Sequence, residues 1–66
     1  MFTITIKERQ VLSLVAMGLT TKEIADRLSL SHHTIESHRK NLLRKWEAKN
    51  SVELVQKTSA LLQVQV

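Results

Sequence analysis

Apolar residues recur along this chain in helical patterns separated by clusters of hydroxyl and amide side chains. Val11, Leu12, Leu14 and Val15 mark one face of a helix over about residues 6 to 17. Ahead of it, Thr5 and Glu8 form a capping box: the hydroxyl accepts from an early helix amide while the carboxylate reaches back to the cap residue. Gly18, the only glycine, suits the left-handed conformation that ends a helix. Thr20 with Glu23 repeats the box, and Ile24, Ala25 and Leu28 form the stripe of a short helix over about 21 to 28. Ser29, Leu30 and Ser31 interrupt it. Ser31 is an N-cap for a third helix, about 32 to 46, on which Ile35, Leu42 and Trp46 recur at near-helical spacing. Asn50 or Ser51 caps a fourth, about 51 to 62, carrying Val52, Leu54, Val55, Leu61 and Leu62. The tail QVQV alternates like a strand, but four terminal residues without a partner are expected to fray.

These patterns predict an all-α fold: a compact four-helix bundle, a single domain over residues 1 to 66. Two helices joined by so short a turn match the helix-turn-helix plan, in which the second helix fits the major groove. A chain of 66 residues buries only about 60% of the surface its unfolded form exposes, which leaves little room for an enclosed active site. There is no cysteine, so neither disulfides nor a cysteine-based zinc site hold the fold, and aliphatic packing must. No apolar run approaches the length of a membrane span, which makes a soluble cytoplasmic protein the default expectation.

Charge adds a direction to this picture. The net charge is +4, and the excess lies in residues 32 to 50, where Arg39, Lys40, Arg44, Lys45 and Lys49 outweigh Glu36 and Glu47. With Ile35 at the centre of the buried side, steps of 100° place His33, Ser37, Lys40 and Arg44 on the opposite side of the third helix. Lys40 suits a guanine edge or a phosphate, Arg44 the phosphate backbone, and Ser37 either kind of acceptor. The amides near His32 and His33, with the Ser31 hydroxyl, suit a phosphate at the helix N-terminus. Thr20, Lys22, Thr34 and Asn41 complete the candidate DNA-contacting set. Glu36 stands against it, because on the flank of this face it repels phosphate unless it pairs with Lys40 at i+4 or accepts from a cytosine amine.

The histidines offer another chemistry. His32, His33 and His38 point in different directions on a helix, and only His32 with Glu36 has i+4 spacing, too few ligands for a zinc site. No HExxH pattern is present, and the hydroxyl residues gather at helix starts, where capping accounts for them. The expectation is no enzyme, no catalytic residue, no metal and no cofactor.

The segments TIKERQVLSLVAMG (5 to 18), LTTKEIADRLSLSHHTIESH (19 to 38) and KNLLRKWEAKNSVELV (40 to 55) resemble the LuxR-type helix-turn-helix, also called FixJ/NarL- or GerE-like, a C-terminal DNA-binding domain of bacterial response regulators and quorum-sensing regulators. The resemblance implies that helices 2 and 3 form the helix-turn-helix, that helix 3 enters the major groove, and that helix 4 supplies a dimer contact. It places the DNA-facing positions at Glu36, Ser37 and Lys40, with Glu36 where many members carry a basic residue, Trp46 where leucine is usual and Ser51 where arginine is usual. The function expected is sequence-selective binding of double-stranded DNA in transcriptional regulation, by what could be the C-terminal part of a longer regulator.

Leu54, Thr58, Leu61 and Leu62 exceed what a three-helix core needs and predict a homodimer formed on DNA through helix 4. RNA polymerase is a further candidate partner; a membrane is not. The competing reading is a helical protein-interaction module similar to region 4 of bacterial sigma factors. His38, Asn41, Lys45 and Asn50 favour the LuxR-type assignment.

Overall fold

The computed structural model describes the backbone of residues 4–63 and the side chains of residues 4–59; residues 64–66, most of the QVQV tail, lie outside them. Four helices follow in order: α1 (Ile6–Ala16), α2 (Thr21–Leu28), α3 (His32–Lys45) and α4 (Ser51–Gln63). Each starts on a polar cap. Thr5 and Thr20 close full capping boxes with Glu8 and Glu23. Ser31 Oγ accepts from the Thr34 amide at 3.0 Å, and Asn50 Oδ1 accepts from the Glu53 amide at 2.9 Å.

The helices also end alike. After α1, the Leu19 amide donates to the Leu14 carbonyl and the Gly18 amide to that of Val15; after α2, Leu30 donates to Ala25 and Ser29 to Asp26; after α3, Ala48 donates to Leu43 and Glu47 to Arg44. This is the Schellman pattern three times over, with the second bond longest at Ser29. The residue at each turn has positive φ: Gly18 at 89°, Ser29 at 57° and Glu47 at 51°. Because the chain reverses within three to five residues at every link, each helix must fold back onto its predecessor.

The apolar stripes meet in one core of Val11, Leu12, Val15, Ile24, Ala25, Ile35, Leu42 and Leu54, with Leu14, Leu28, Trp46 and Val55 packed around it. Helices α1 and α3 each touch all three others; among the described residues α2 and α4 do not touch. The pair α1 and α3 is therefore the frame, flanked by α2 and α4. Each large aliphatic side chain removed from water here contributes about 1.5–3 kcal/mol.

One polar contact reinforces that frame. Glu8 is only 4% exposed, and its Oε1 accepts both from the Thr5 amide, at 3.1 Å, and from Lys45 Nζ, at 2.7 Å. The ion pair thus ties the first turn of α1 to the last turn of α3. Burial by itself raises the Glu8 pKa, but the Lys45 hydrogen bond, the Thr5 amide and the Lys45 charge together outweigh it and hold the carboxyl below its ordinary 4.5. At the far side, Lys57 Nζ reaches the carbonyls of Trp46 and Glu47 at 3.2 and 2.9 Å, so α4 closes the open end of α3.

Two expectations about stability follow. A folded-state pKa below the unfolded one means the Glu8 contribution is complete above the ordinary carboxyl value and is lost as pH falls through the folded one. Thermal stability should decline below about pH 4.5, and Glu8→Gln should flatten part of that decline while lowering stability at pH 7. Lys45→Met should cost about 1–3 kcal/mol at pH 7, less than a fully buried pair because the lysine stays partly solvated. Thermal melts across pH read all three. Gly18→Ala should destabilise by about 1–2 kcal/mol, since Cβ has space but not a favourable φ, whereas Glu47→Gly should stabilise by about 0.5–1 kcal/mol. Urea titration checks this pair.

Candidate nucleic-acid interface

The outward surface of α3 is set by its inward one. Ile35 and Leu42 are fully buried, and Trp46 is half-buried against the core. The helix therefore turns His33, Glu36, Ser37, Lys40, Asn41 and Arg44 to solvent, with Thr34 half-buried. His32 is exposed at the first turn and His38 is half-buried. The N-terminus of α2 lies beside this surface: Thr21, His33, Glu36, Ser37, Lys40 and Leu43 surround a shallow, open hollow of about 330 Å³, with Arg39 at its edge. Thr20 and Lys22, at the start of α2, are also exposed.

Not every hydroxyl of the expected set is equally available. Thr20 Oγ1 and Ser31 Oγ each accept from the amide three residues on, and the Ser31 and Thr34 hydroxyls also hydrogen-bond each other at 2.8 Å. Ser31 and Thr34 are thus largely occupied with building the α3 start. Ser37 makes no hydrogen bond among the described residues.

The basic residues divide more sharply. Arg39 is half-buried and donates to Ser51 Oγ at 2.5 Å across the α3–α4 corner, and Lys45 is held by Glu8. Lys22, Lys40 and Arg44 are exposed and, among the described residues, form no ion pair or hydrogen bond. Glu36 makes none either, although Lys40 lies one turn away. The outer face thus combines three outward cations, a free hydroxyl and one exposed carboxylate, all on rigid helices.

The assignment of Leu54 and Thr58 to a dimer surface is corrected. Both are only 1% exposed: Leu54 fills the core, and Thr58 Oγ1 donates to the Leu54 carbonyl at 2.8 Å. The sequence shows apolar residues on two sides of α4, and the inward side is the one holding Leu54 and Thr58. The outward side carries Val52, which is 67% exposed, with Gln56 and Ser59. The side chains of Leu61 and Leu62 lie outside the described residues. Arg39 with Ser51, Lys45 with Glu8 and Lys57 with the Trp46 and Glu47 carbonyls escaped sequence reasoning altogether, because each joins residues of different elements.

Among the described residues, no helix is long and apolar enough to cross a membrane. The family model described as bacterial regulatory proteins, luxR family, matches residues 3–58. The chain is 49% identical over 51 residues to the transcriptional regulatory protein UhpA of Salmonella typhimurium, covering 77% of this chain and 26% of UhpA. It is 47% identical over 53 residues to the transcriptional regulatory protein FixJ of Rhizobium meliloti, covering 80% and 26%. With the nitrate/nitrite response regulator protein NarL of Escherichia coli K12 it shares 42% over 50 residues, covering 76% and 23%. The chain thus spans about a quarter of the length of these relatives. Matched over residues 3–58 by one family model, this four-helix chain is a member of the LuxR family of bacterial regulatory proteins, carrying that family's DNA-binding helix-turn-helix domain.

Proposed function

We propose that this domain binds double-stranded DNA sequence-selectively, with α3 in the major groove, as the DNA-reading part of a cytoplasmic transcriptional regulator. The observation that carries the reading is the set of Lys22, Lys40 and Arg44, which face solvent on α2 and α3 without an internal partner while the inward basic residues are spent on packing contacts. An α-helix fits the major groove, and its outward side chains then meet base edges along the centre and phosphates along the flanks. In this placement Lys40 and Ser37 address bases, while Arg44, further along α3, and Lys22, at the start of α2, bind the backbone. Thr20, whose hydroxyl is engaged with Glu23 in the capping box, lies beside this backbone contact at the start of α2.

Pairing of two copies uses the outward side of α4, which starts at the exposed Val52 and continues through Gln56 and Ser59. A two-fold pair of this kind reads two half-sites, separated by about one helical turn of DNA or a multiple of it.

The test is fluorescence anisotropy of a mixed-sequence duplex titrated with the domain at two salt concentrations. With Arg44 and Lys22 each meeting a phosphate, log affinity should fall with log salt at a slope of about −1.8 per domain. Lys40→Ala should cost about 1–3 kcal/mol on a preferred site and relax selectivity there. Arg44→Ala should weaken all duplexes alike and make the salt slope shallower by about 1. Absence of binding at low salt and tens of micromolar protein defeats the proposal.

A further inference from the structure

The carboxylate of Glu36 is the group on the outer face of α3 that a polyanion should expel, yet it stands exposed between the start of α2 and the centre of α3. It is not neutralised internally. Lys40, one helical turn on and about 40° around the axis, makes no ion pair with it, and among the described residues Glu36 has neither a hydrogen bond nor a salt bridge. Nor does it contribute to the fold: it caps no helix and touches none of the buried core.

We infer that Glu36 is a specificity-determining residue that accepts a hydrogen bond from the exocyclic amine of a cytosine in the major groove. The inference rests on the DNA-binding reading above. In the major groove only cytosine N4 and adenine N6 offer an amine to a carboxylate, and adenine sets its N7 acceptor beside that amine, where it repels the second carboxylate oxygen. Cytosine therefore satisfies Glu36 best; guanine and thymine present acceptors where a donor is needed. Lys40 supports the same choice. Four residues along a helix advance about 6 Å, so its ammonium reaches within one or two base-pair steps of Glu36, and guanine O6 and N7 are the acceptors it suits. A carboxylate and an ammonium side by side, kept apart from each other, match a C and a G presented side by side.

Glu36 thus acts by exclusion as much as by attraction. On a site without cytosine at the matching position, its charge remains desolvated and unpaired beside the groove, so incorrect sites are penalised while the correct one is not.

The experiment is selection of preferred duplexes from a randomised pool by the domain and by its Glu36→Gln variant, followed by anisotropy titrations on the selected site and its single-base variants. Circular dichroism confirms that both proteins are folded. The expected result is one position at which the unmodified domain prefers cytosine by about tenfold or more, a preference that Glu36→Gln loses in favour of adenine while the other positions are unchanged. If Glu36→Gln instead binds every duplex more tightly by the same factor, the carboxylate is only a repulsive charge and the inference is overturned. An unchanged profile in the variant overturns it too, with DNA binding itself intact. If neither protein binds DNA, both this inference and the reading beneath it fall.

Discussion

The bond on which the arrangement turns is the one between Glu8 and Lys45. Among the described residues, helices α1 and α3 are the only two that touch every other element, and this pair joins the first turn of one to the last turn of the other. The carboxylate also closes the α1 capping box, so a single oxygen sets both where α1 begins and how α3 lies against it. Close-packed aliphatic side chains resist displacement through their shape, and a largely buried carboxylate with two donors adds a directional constraint at one point. The buried Ile35 and Leu42 set which side α3 turns outward, and the Lys45 bond adds a fixed point at its C-terminal end.

Repetition supplies the rest. Each of the first three helices ends in the same turn, each following helix starts on a polar cap, and the links hold three to five residues. Two of the three turn positions with positive φ are filled by serine and glutamate rather than glycine. These left-handed residues cost free energy locally. The hydrogen bonds they permit, and the core contacts that short links enforce, offset that cost.

How much of this could be read from residues depends on distance along the chain. Capping at Thr5, Thr20 and Ser31 involves residues three apart, and the structure shows each of those bonds; the helices end within one residue of where the apolar stripes and caps place them. The buried side of α3 was equally plain, because Ile35 and Leu42 leave a charged remainder. Lys45 and Glu8 are 37 residues apart, and no local pattern marks them as partners. For the same reason a count of basic residues treats Arg39, Lys40, Arg44 and Lys45 alike, although packing withdraws the first and last from the surface. Helix α4 shows a different limit. It carries apolar residues on both sides, and periodicity cannot say which side faces inward until the positions of α1 and α3 are known.

The division among the basic residues has an energetic consequence. Because Lys22, Lys40 and Arg44 hold no internal bond among the described residues, engaging a phosphate or a base through them, as proposed, would break nothing inside the domain. The exchange involves only water and small ions, and the folded state enters the complex at its full stability. On that proposal, DNA that binds the native state would add up to RT ln(1 + [DNA]/Kd) to the free energy of unfolding without first subtracting from it. Contacts made through Arg39 or Lys45 would instead be drawn from the same bonds that hold α3 to α4 and to α1.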